Sequence, residues 1–484
     1  MKNFSIPQEV ADISKTLAEA GFEAYAVGGC VRDLLLGRKP ADWDIATNAK
    51  PEEIQKLFPD SVYENAFGTV AVKTGLDDET LALVEVTTYR VESSYSDYRR
   101  PDAVVFAKTI EEDLSRRDFT INAIAFRPKG IVDLYGGQDD VKKKIIRAVG
   151  NANDRFNEDA LRMLRAVRLT AQLDFKIEES TYDAIRTNVD LLKHISIERI
   201  RDEFEKLIMT PRAGWGLELL HETGLLKHII PELLEGVGVG QNKHHIYTVW
   251  EHNKRALEYA VEKGYPLEIR LGALLHDVGK PRTKAGDGIN STFYAHEIVG
   301  GMMTKKIMER LKFPKKIADH VTHLVRFHLF YYNVGDVTEA GVRRFLKRVG
   351  SENVDDLLKI READRIGSGV PKAFPYKLRH LLFMIDKVKK DAIDTRMLEI
   401  DGTEIMEELG LNPGPKVGWI MSVLLEEVLD DSKKNSKEKL FERARELDAM
   451  SDAELIKLQK KAKDRKEEFE QGVEEEIKKR YRVS

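Results

Sequence analysis

AYAVGGCVRDLLLGRKPADWDIAT, residues 24–47, concentrates more chemistry than any other stretch of the chain. A short β-like run ends in Gly28 and Gly29, a helix carrying Arg32 and Asp33 follows, and a second strand carries Asp42 and Asp44. Side chains two apart on a strand point to the same side, so both carboxylates should face one point. Two hard oxygen ligands converging there suit Mg²⁺, which takes one or two carboxylates plus substrate phosphates. The paired glycines let the backbone approach a triphosphate, and Arg32 can neutralise phosphate charge. Gly-Gly alone is usually a turn and Asp-x-Asp alone a solvated loop; their adjacency makes that bland account poor.

Downstream, TVAVKT and ALVEVTTY read as further strands, giving the first 150 residues the texture of a small α/β domain. Glu85 lies among apolar residues on one of these strands. Either it is a third carboxylate of the site or it sits on an edge strand in water. RRDFTINA, residues 116–123, gathers Arg116, Arg117, Asp118 and Asn122 within two helical turns, a set suited to ribose and phosphate. NEDALRMLRAVR reads as one amphipathic helix, with Ala160, Leu164, Val167 and Ala171 on the apolar face and Glu158, Asp159, Arg162 and Arg165 opposite. Arg168 lies one turn further on. A carboxylate beside a guanidinium, Asp159 next to Arg162, matches an exocyclic amine next to a ring-nitrogen acceptor. Cytosine and adenine present that pair; uracil and guanine reverse it and are repelled.

At 484 residues the chain exceeds one hydrophobic core, and after Gly150 its pattern is almost wholly helical. The net charge of -4 announces no nucleic-acid partner, so any RNA site must be a local patch. One cysteine, Cys30, excludes an internal disulfide; with no His nearby and apolar neighbours it should be packing. No apolar run is long enough for a membrane span, and the expected location is the cytoplasm. GVGVGQN, residues 236–242, has no preceding strand and reads as a linker. Eight of the 12 histidines then fall between 244 and 328, which marks a separate metal-site domain. From about residue 433 the chain alternates basic residues with Glu, as expected of a solvated helix laced by i to i+4 ion pairs.

The order VGGCVRDLLLGRKPADWDIAT, RRDFTINA, DLYGGQDD, FNEDALRMLRAVR and ERIRDEF resembles the class II tRNA nucleotidyltransferase and poly(A) polymerase family, a polymerase-β-like branch. The resemblance implies that Asp42 and Asp44 hold two Mg²⁺ ions, that Gly28, Gly29 and Arg32 meet the triphosphate, and that Asp118 and Asn122 fix the ribose. It also implies that Glu158, Asp159 and Arg162 read the base, and Arg117, Arg165 and Arg168 are counted among the nucleotide-binding candidates. VESSYSDYRRPDAVVF resembles the family's flexible loop, with Asp97, Arg99 and Arg100 present, which favours full CCA addition. Residues 401–421 resemble a tail that reaches the tRNA elbow.

HHIYTVWEHNKRAL, ALLHDVGKP and READRIG resemble an HD phosphohydrolase domain. There His252, His276, Asp277 and Asp364 would bind a divalent transition metal, and His296 and His328 could join a second. A helical spacer that keeps the ligands without useful activity is the bland alternative. The fold expected is α+β: a nucleotidyltransferase head with a mixed sheet (1–150), then an all-α neck (151–235), HD domain (236–370) and tail (371–484). The expected reaction is attack of the tRNA acceptor-end 3′-hydroxyl on the α-phosphate of CTP or ATP, with release of pyrophosphate. Poly(A) or A-only addition, an HD phosphohydrolase with an RNA-binding head, and a scaffold without chemistry remain rivals.

Overall fold

The computed structural model describes residues 6–65, 68–92, 104–242, 246–330, 332, 338–369, 376–390, 398–462, 478–479 and 482. Asp97, Arg99 and Arg100 of the expected flexible loop lie outside the described residues.

The head begins with α1 (Gln8–Glu19), β1 (Ala24–Val27), α2 (Gly29–Leu35), β2 (Asp44–Thr47) and α3 (Pro51–Leu57). It continues through β3 (Ser61–Asn65), β4 (Thr69–Lys73), β5 (Leu83–Thr88), β6 (Arg90–Glu92), β7 (Val104–Phe106) and α4 (Ile110–Ser115). It closes with β8 (Ala125–Arg127), β9 (Gly130–Val132), α5 (Gly137–Lys143) and β10 (Ile145–Ile146). Seven strands form one mixed sheet in the order β3-β4-β5-β2-β1-β8-β9, with β2 and β5 parallel and the other pairs antiparallel.

Alternation along the strands assigns the faces. Ala26, Ile45, Val84 and Val86 pack with Val10, Ile13 and Leu17 of α1 on one side. Tyr25, Val27 and Ala46 pack with Ile110 and Leu114 of α4 on the other. Trp43 belongs to the first face, so Asp44, the next residue, lies on the second. The strand itself starts at Asp44; Asp42 sits in the exposed bend before it, not on the strand.

The helical continuation holds α6 (Ala152–Glu158), α7 (Leu161–Leu173), β11 (Lys176–Ile177), α8 (Glu179–Asn188), α9 (Ile197–Ile208) and α10 (Ala213–Glu222). Then come α11 (Val249–Glu262), α12 (Leu267–Leu275), α13 (Lys280–Thr283), α14 (His296–Arg310) and α15 (Lys315–Phe327). The expected single helix over NEDALRMLRAVR is broken: Glu158 ends α6, Asp159 is extended, and α7 starts at Leu161. Asp159 causes the break, because its Oδ1 accepts the N–H of Leu161 at 3.1 Å, a local bond that competes with helix. Nor is α7 polar on one side. Arg162, Met163 and Ala166 are buried along with Leu164 and Val167.

One hydrophobic cluster runs without interruption from Phe119 through Leu164, Phe204 and Leu217 to Leu271, Leu274, Ile307 and Val325. The guanidinium of Arg270 on α12 donates to the buried carbonyl of Ile208 at 3.0 Å across this core. The histidine-rich helices therefore share their interior with the helices before them. The remaining helices are α16 (Glu339–Val349), α17 (Val354–Gly367), α18 (Tyr376–Lys390), α19 (Gly402–Leu409), α20 (Pro415–Asp430) and α21 (Lys437–Asp448).

Residues 1–329 and 356–371 form one compact unit; 330–355 and 372–484 form a second. In the second, α21 is not the solvated helix its charges suggest. Leu440, Ala444 and Leu447 are buried in a core with Ile420, Leu424 and Ile405, and Arg443 pairs with Glu427 of α20 at 2.8 Å. Charge alternation hid a three-residue apolar stripe at helical spacing. Among the described residues no helix is long and apolar enough to cross a membrane.

Candidate functional site

Gly28 joins β1 to α2 at φ 76°, a backbone region that side chains disfavour, and a Cβ there would lie 2.9 Å from Arg117 Nη1 and 3.7 Å from Asp44 Oδ2. The turn therefore brings backbone directly against a carboxylate and a guanidinium. Asp44 and Glu85 are register partners on the parallel strands β2 and β5. β5 lies inside the sheet, between β4 and β2, so the edge-strand account of Glu85 fails; its side chain is exposed on the same face as Asp44. Burial, then Asp42, then Glu85 push the Asp44 carboxyl up to about 7 against the opposing charge of Arg117. In the absence of a cation Asp44 therefore feels the negative charge of both Asp42 and Glu85. Cys30, buried beside them, donates to the carbonyl of Val27 at 3.2 Å, and burial pushes its thiol up to about 12; it packs.

A chain of hydrogen bonds ties the second motif to the first. Arg32 donates to Asn122 Oδ1 at 2.8 Å, Asn122 Nδ2 donates to Asp118 Oδ1 at 3.1 Å, and Arg165 Nε donates to Asp118 Oδ2 at 2.8 Å. Burial opposes ionisation of Asp118, yet Arg165 holds its carboxyl well below the usual range. The segment is no helix: α4 ends at Ser115, Arg116 caps it, and residues Thr120–Asn122 form a single tight turn. Both Arg116 and Arg117 fold back on buried Asp113, at 2.7 and 3.1 Å.

The expected Asp159–Arg162 pair is replaced by two others. Arg162 donates to Glu158 and to the carbonyls of Arg155 and Arg116, at 3.2 and 3.0 Å. Asp159 accepts from Arg199 of α9 at 2.7 Å. The break between α6 and α7 turns the Asp159 carboxylate away from helical register and toward α9. Arg168 is anchored to buried Glu203 at 2.7 Å, also on α9.

A second cluster lies in the histidine-rich helices. Thr248 opens α11 with a capping box through Glu251, which places His252 on the inward side of the first turn. His252 Nε2 lies 2.8 Å from His276 Nε2 and 3.0 Å from Asp277 Oδ2; Asp364 Oδ1 lies 3.4 Å from His252 Nε2. The other oxygen of Asp277 faces His296 Nε2 at 3.3 Å and His328 Nε2 at 3.7 Å. In His276, His296 and His328 the Nδ1 meets the carbonyl three residues earlier, Ala273, Phe293 and Val325, at 2.7–2.8 Å. That bond assigns Nδ1 the proton and leaves Nε2 as an inward lone pair, the orientation of a metal-ligating imidazole.

Two overlapping sets, His252–His276–Asp277–Asp364 and Asp277–His296–His328, thus bring ligand atoms together, and the donor types fit a divalent transition metal. With only protein charges present, burial resists protonation of His276, but Asp277 and Asp364 lift it to about 10. Gly279 allows the close fit, since a Cβ there would meet the carbonyl oxygen of His296 at 2.3 Å. Ala295 takes φ 61°, a strained value for a residue with a side chain, just before His296 starts α14.

Residues 24–147 match the Poly A polymerase head domain, 174–236 the probable RNA and SrmB-binding site of polymerase A, and 245–367 the HD domain. The CCA-adding enzyme of Lactobacillus helveticus is 36% identical over 439 residues, covering 90% of this chain and 96% of that protein. The chain belongs to the CCA-adding enzyme family. The family's member from Ligilactobacillus salivarius is 36% identical over 92% of this chain and 98% of its own length. The solved Bacillus stearothermophilus CCA-adding enzyme in complex with CTP superimposes with a TM-score of 0.57 at 30% identity, covering 91% of this chain and 96% of that one.

Within this member of the CCA-adding enzyme family, sequence reading missed four residues that hold the sites together. Asp113 pairs with Arg117 at i, i+4, a spacing visible in EEDLSRRD. Arg199 lies in the ERIRDEF motif, but its 40-residue separation from Asp159 gave no sign that the two pair. Lys280 is buried with its Nζ 2.6 Å from Asp277 Oδ2 and 2.7 Å from Gln241 Oε1. Gln241 belongs to the segment read as a linker.

Proposed function

We propose that this chain adds or repairs the 3′-terminal CCA of tRNA without a nucleic-acid template, taking CTP and ATP and releasing pyrophosphate. The observation that carries this reading is the pairing of Asp44 with Glu85 across β2 and β5 beside the Gly28 turn, within electrostatic reach of Asp42, with Arg32, Asn122, Asp118 and Arg165 bonded in series next to it. Asp42 and Asp44 would hold two Mg²⁺ ions, with Glu85 alongside; when bound, the ions supply Lewis-acid stabilisation of the phosphates and of the attacking oxygen. The acceptor-end 3′-oxygen forms the new bond to the α-phosphorus, its proton leaves to solvent, and the bond to the pyrophosphate oxygen breaks.

The protein's own part is orientation. Gly28 and Gly29 add no side chains of their own to the space beside Asp44, Arg117 and Arg32, and the buried guanidinium of Arg32 offers the triphosphate positive charge. Asp118 and Asn122 meet the ribose, while Arg117 and Arg165 are fixed beside them. Asp159 presents an acceptor steadied by Arg199, and Arg162 a donor steadied by Glu158, so cytosine and adenine are accepted and uracil and guanine repelled. Arg168 steadies α7 through Glu203. The second cluster would bind a divalent transition metal through His252, His276, Asp277 and Asp364, with His296 and His328 toward a second ion, and act as a phosphohydrolase. Domain boundaries near 150, 235 and 370 and a cytoplasmic location complete the reading.

Asp42→Asn, assayed for Mg²⁺-dependent release of pyrophosphate from CTP in the presence of tRNA lacking its terminus, should lose at least about a thousandfold of the rate while RNA binding persists. Turnover within tenfold of the unaltered protein would refute the site assignment.

A further inference from the structure

The second compact unit carries a cavity of about 370 Å³ against helix α16, and no part of the reading above uses it. Its walls are aromatic and apolar: Phe330, Tyr332, Phe345 and Leu381. The rings of Phe330 and Phe345 stand 5.2 Å apart at an interplanar angle of 52°. The Tyr332 hydroxyl is bonded to His380 Nδ1 at 2.5 Å, so a fixed polar pair lies beside this wall.

Arg344 and Arg348 stand at the same cavity, four residues apart and so neighbours on one helix face. Both are exposed, and among the described residues neither has an ion pair, whereas Arg343 beside them pairs with Glu339 at 3.5 Å. Lys347 is exposed on the same helix and likewise has no ion pair among the described residues. The cavity lies at the lower end of the size range for small-molecule sites. Aromatic walls suit the faces of a base, and two guanidinium groups suit a phosphate oxygen pair. The further cation at Lys347 extends the positive surface beyond one phosphate, which favours a strand over a free nucleotide.

We propose that this cavity seats one unstacked nucleotide of a bound RNA strand, its base against Phe345 and Phe330 and its phosphate on Arg344 and Arg348. The proposal rests on the reading that the chain acts on RNA. It assigns an RNA contact to α16, which follows the histidine-rich helices in the sequence, at a point where the sequence suggested none.

The test uses the full chain and labelled tRNA ending at the discriminator base, with dissociation constants measured from 50 to 250 mM KCl. R344A/R348A should weaken binding about tenfold or more and flatten the log–log salt slope by about 1.4, two contacts at about 0.7 each. R344K/R348K should restore most of the slope. Phe345→Leu should weaken binding about fivefold, the low end of base–aromatic stacking, with the slope unchanged. The rate at saturating tRNA and the KM for CTP should not move in any variant.

An R344A/R348A affinity within twofold of the unaltered protein overturns the proposal, as does a Phe345→Leu variant with unchanged affinity. A parallel titration with CMP and AMP covers the other source. Binding of either that is lost in R344A/R348A, with tRNA affinity intact, would make the site one for free nucleotide and also overturn it. Extension by the unaltered protein in the same preparation reports on the catalytic reading alone, so the two failures are distinguishable.

Discussion

Asp44→Asn should abolish nucleotidyl transfer and, in metal-free protein, raise stability. Burial, Asp42 and Glu85 lift the Asp44 carboxyl from 3.8 to about 7. Between those values the unfolded chain is ionised while the folded one retains the proton, so stability falls as pH rises through that window. A shift of that size corresponds to roughly 4 kcal/mol at about 1.36 kcal/mol per unit. Because Asp42 is exposed and the repulsion is shared with Glu85, about 2 kcal/mol is the better expectation. Asparagine keeps the shape and removes the charge. In chelator at pH 8, thermal unfolding of Asp44→Asn should therefore come about 3 °C above the unaltered protein, because the compact unit that carries the head, residues 1–329 and 356–371, has a large unfolding entropy. At pH 5, partway into that window, roughly a third of the difference should remain, and it should vanish only below about pH 4. Excess Mg²⁺ should reverse its sign, since only the native carboxylate gains from the ion. No rise at pH 8, or an equal rise at pH 5, would refute the account of crowded carboxylates.

Further outcomes follow from the other contacts. Arg199→Ala frees the Asp159 carboxylate, so misincorporation of UTP and GTP should rise about tenfold relative to CTP; unchanged selectivity would detach Asp159 from base choice. Asp118→Ala leaves Arg165 without its carboxylate and should cost about 2–4 kcal/mol in urea unfolding, a value reduced because Arg165 is partly exposed. Since the Asp118 pKa is depressed, its contribution is present above about pH 4 and is lost on acidification; equal losses at pH 3 and pH 7 would contradict it. Dialysis against chelator should lower the unfolding temperature through the buried His252–His276–Asp277–Asp364 set, and Mn²⁺ or Ni²⁺ should restore it. His276→Ala should show no such response, and an unchanged response would place the metal elsewhere.

What the sequence disclosed was local. The Gly28 turn and the facing of Asp44 follow from short-range spacing and strand period, whereas His252, His276 and Asp277 were identified through the resemblance to an HD domain. Where separation grew, the reading weakened. Glu85 could not be assigned to an interior strand because the β2–β5 pairing joins residues 41 apart, and only that register sets it beside Asp44. The Asp159 partner was misjudged for the same reason, and also because helical periodicity was carried through a residue whose own side chain stops the helix. In α21 the alternating charges outvoted Leu440, Ala444 and Leu447, although those three fall on one helix face. The shared core of the neck and histidine-rich helices had no sequence signature, because apolar faces do not name their partners.

The central claim is tested most directly by the length of the product. A tRNA ending at the discriminator base, incubated with the full chain, Mg²⁺, CTP and ATP, should gain three nucleotides and stop, gain two with CTP alone, and gain none with UTP or GTP. A ladder of adenylates, or growth past three, would contradict it.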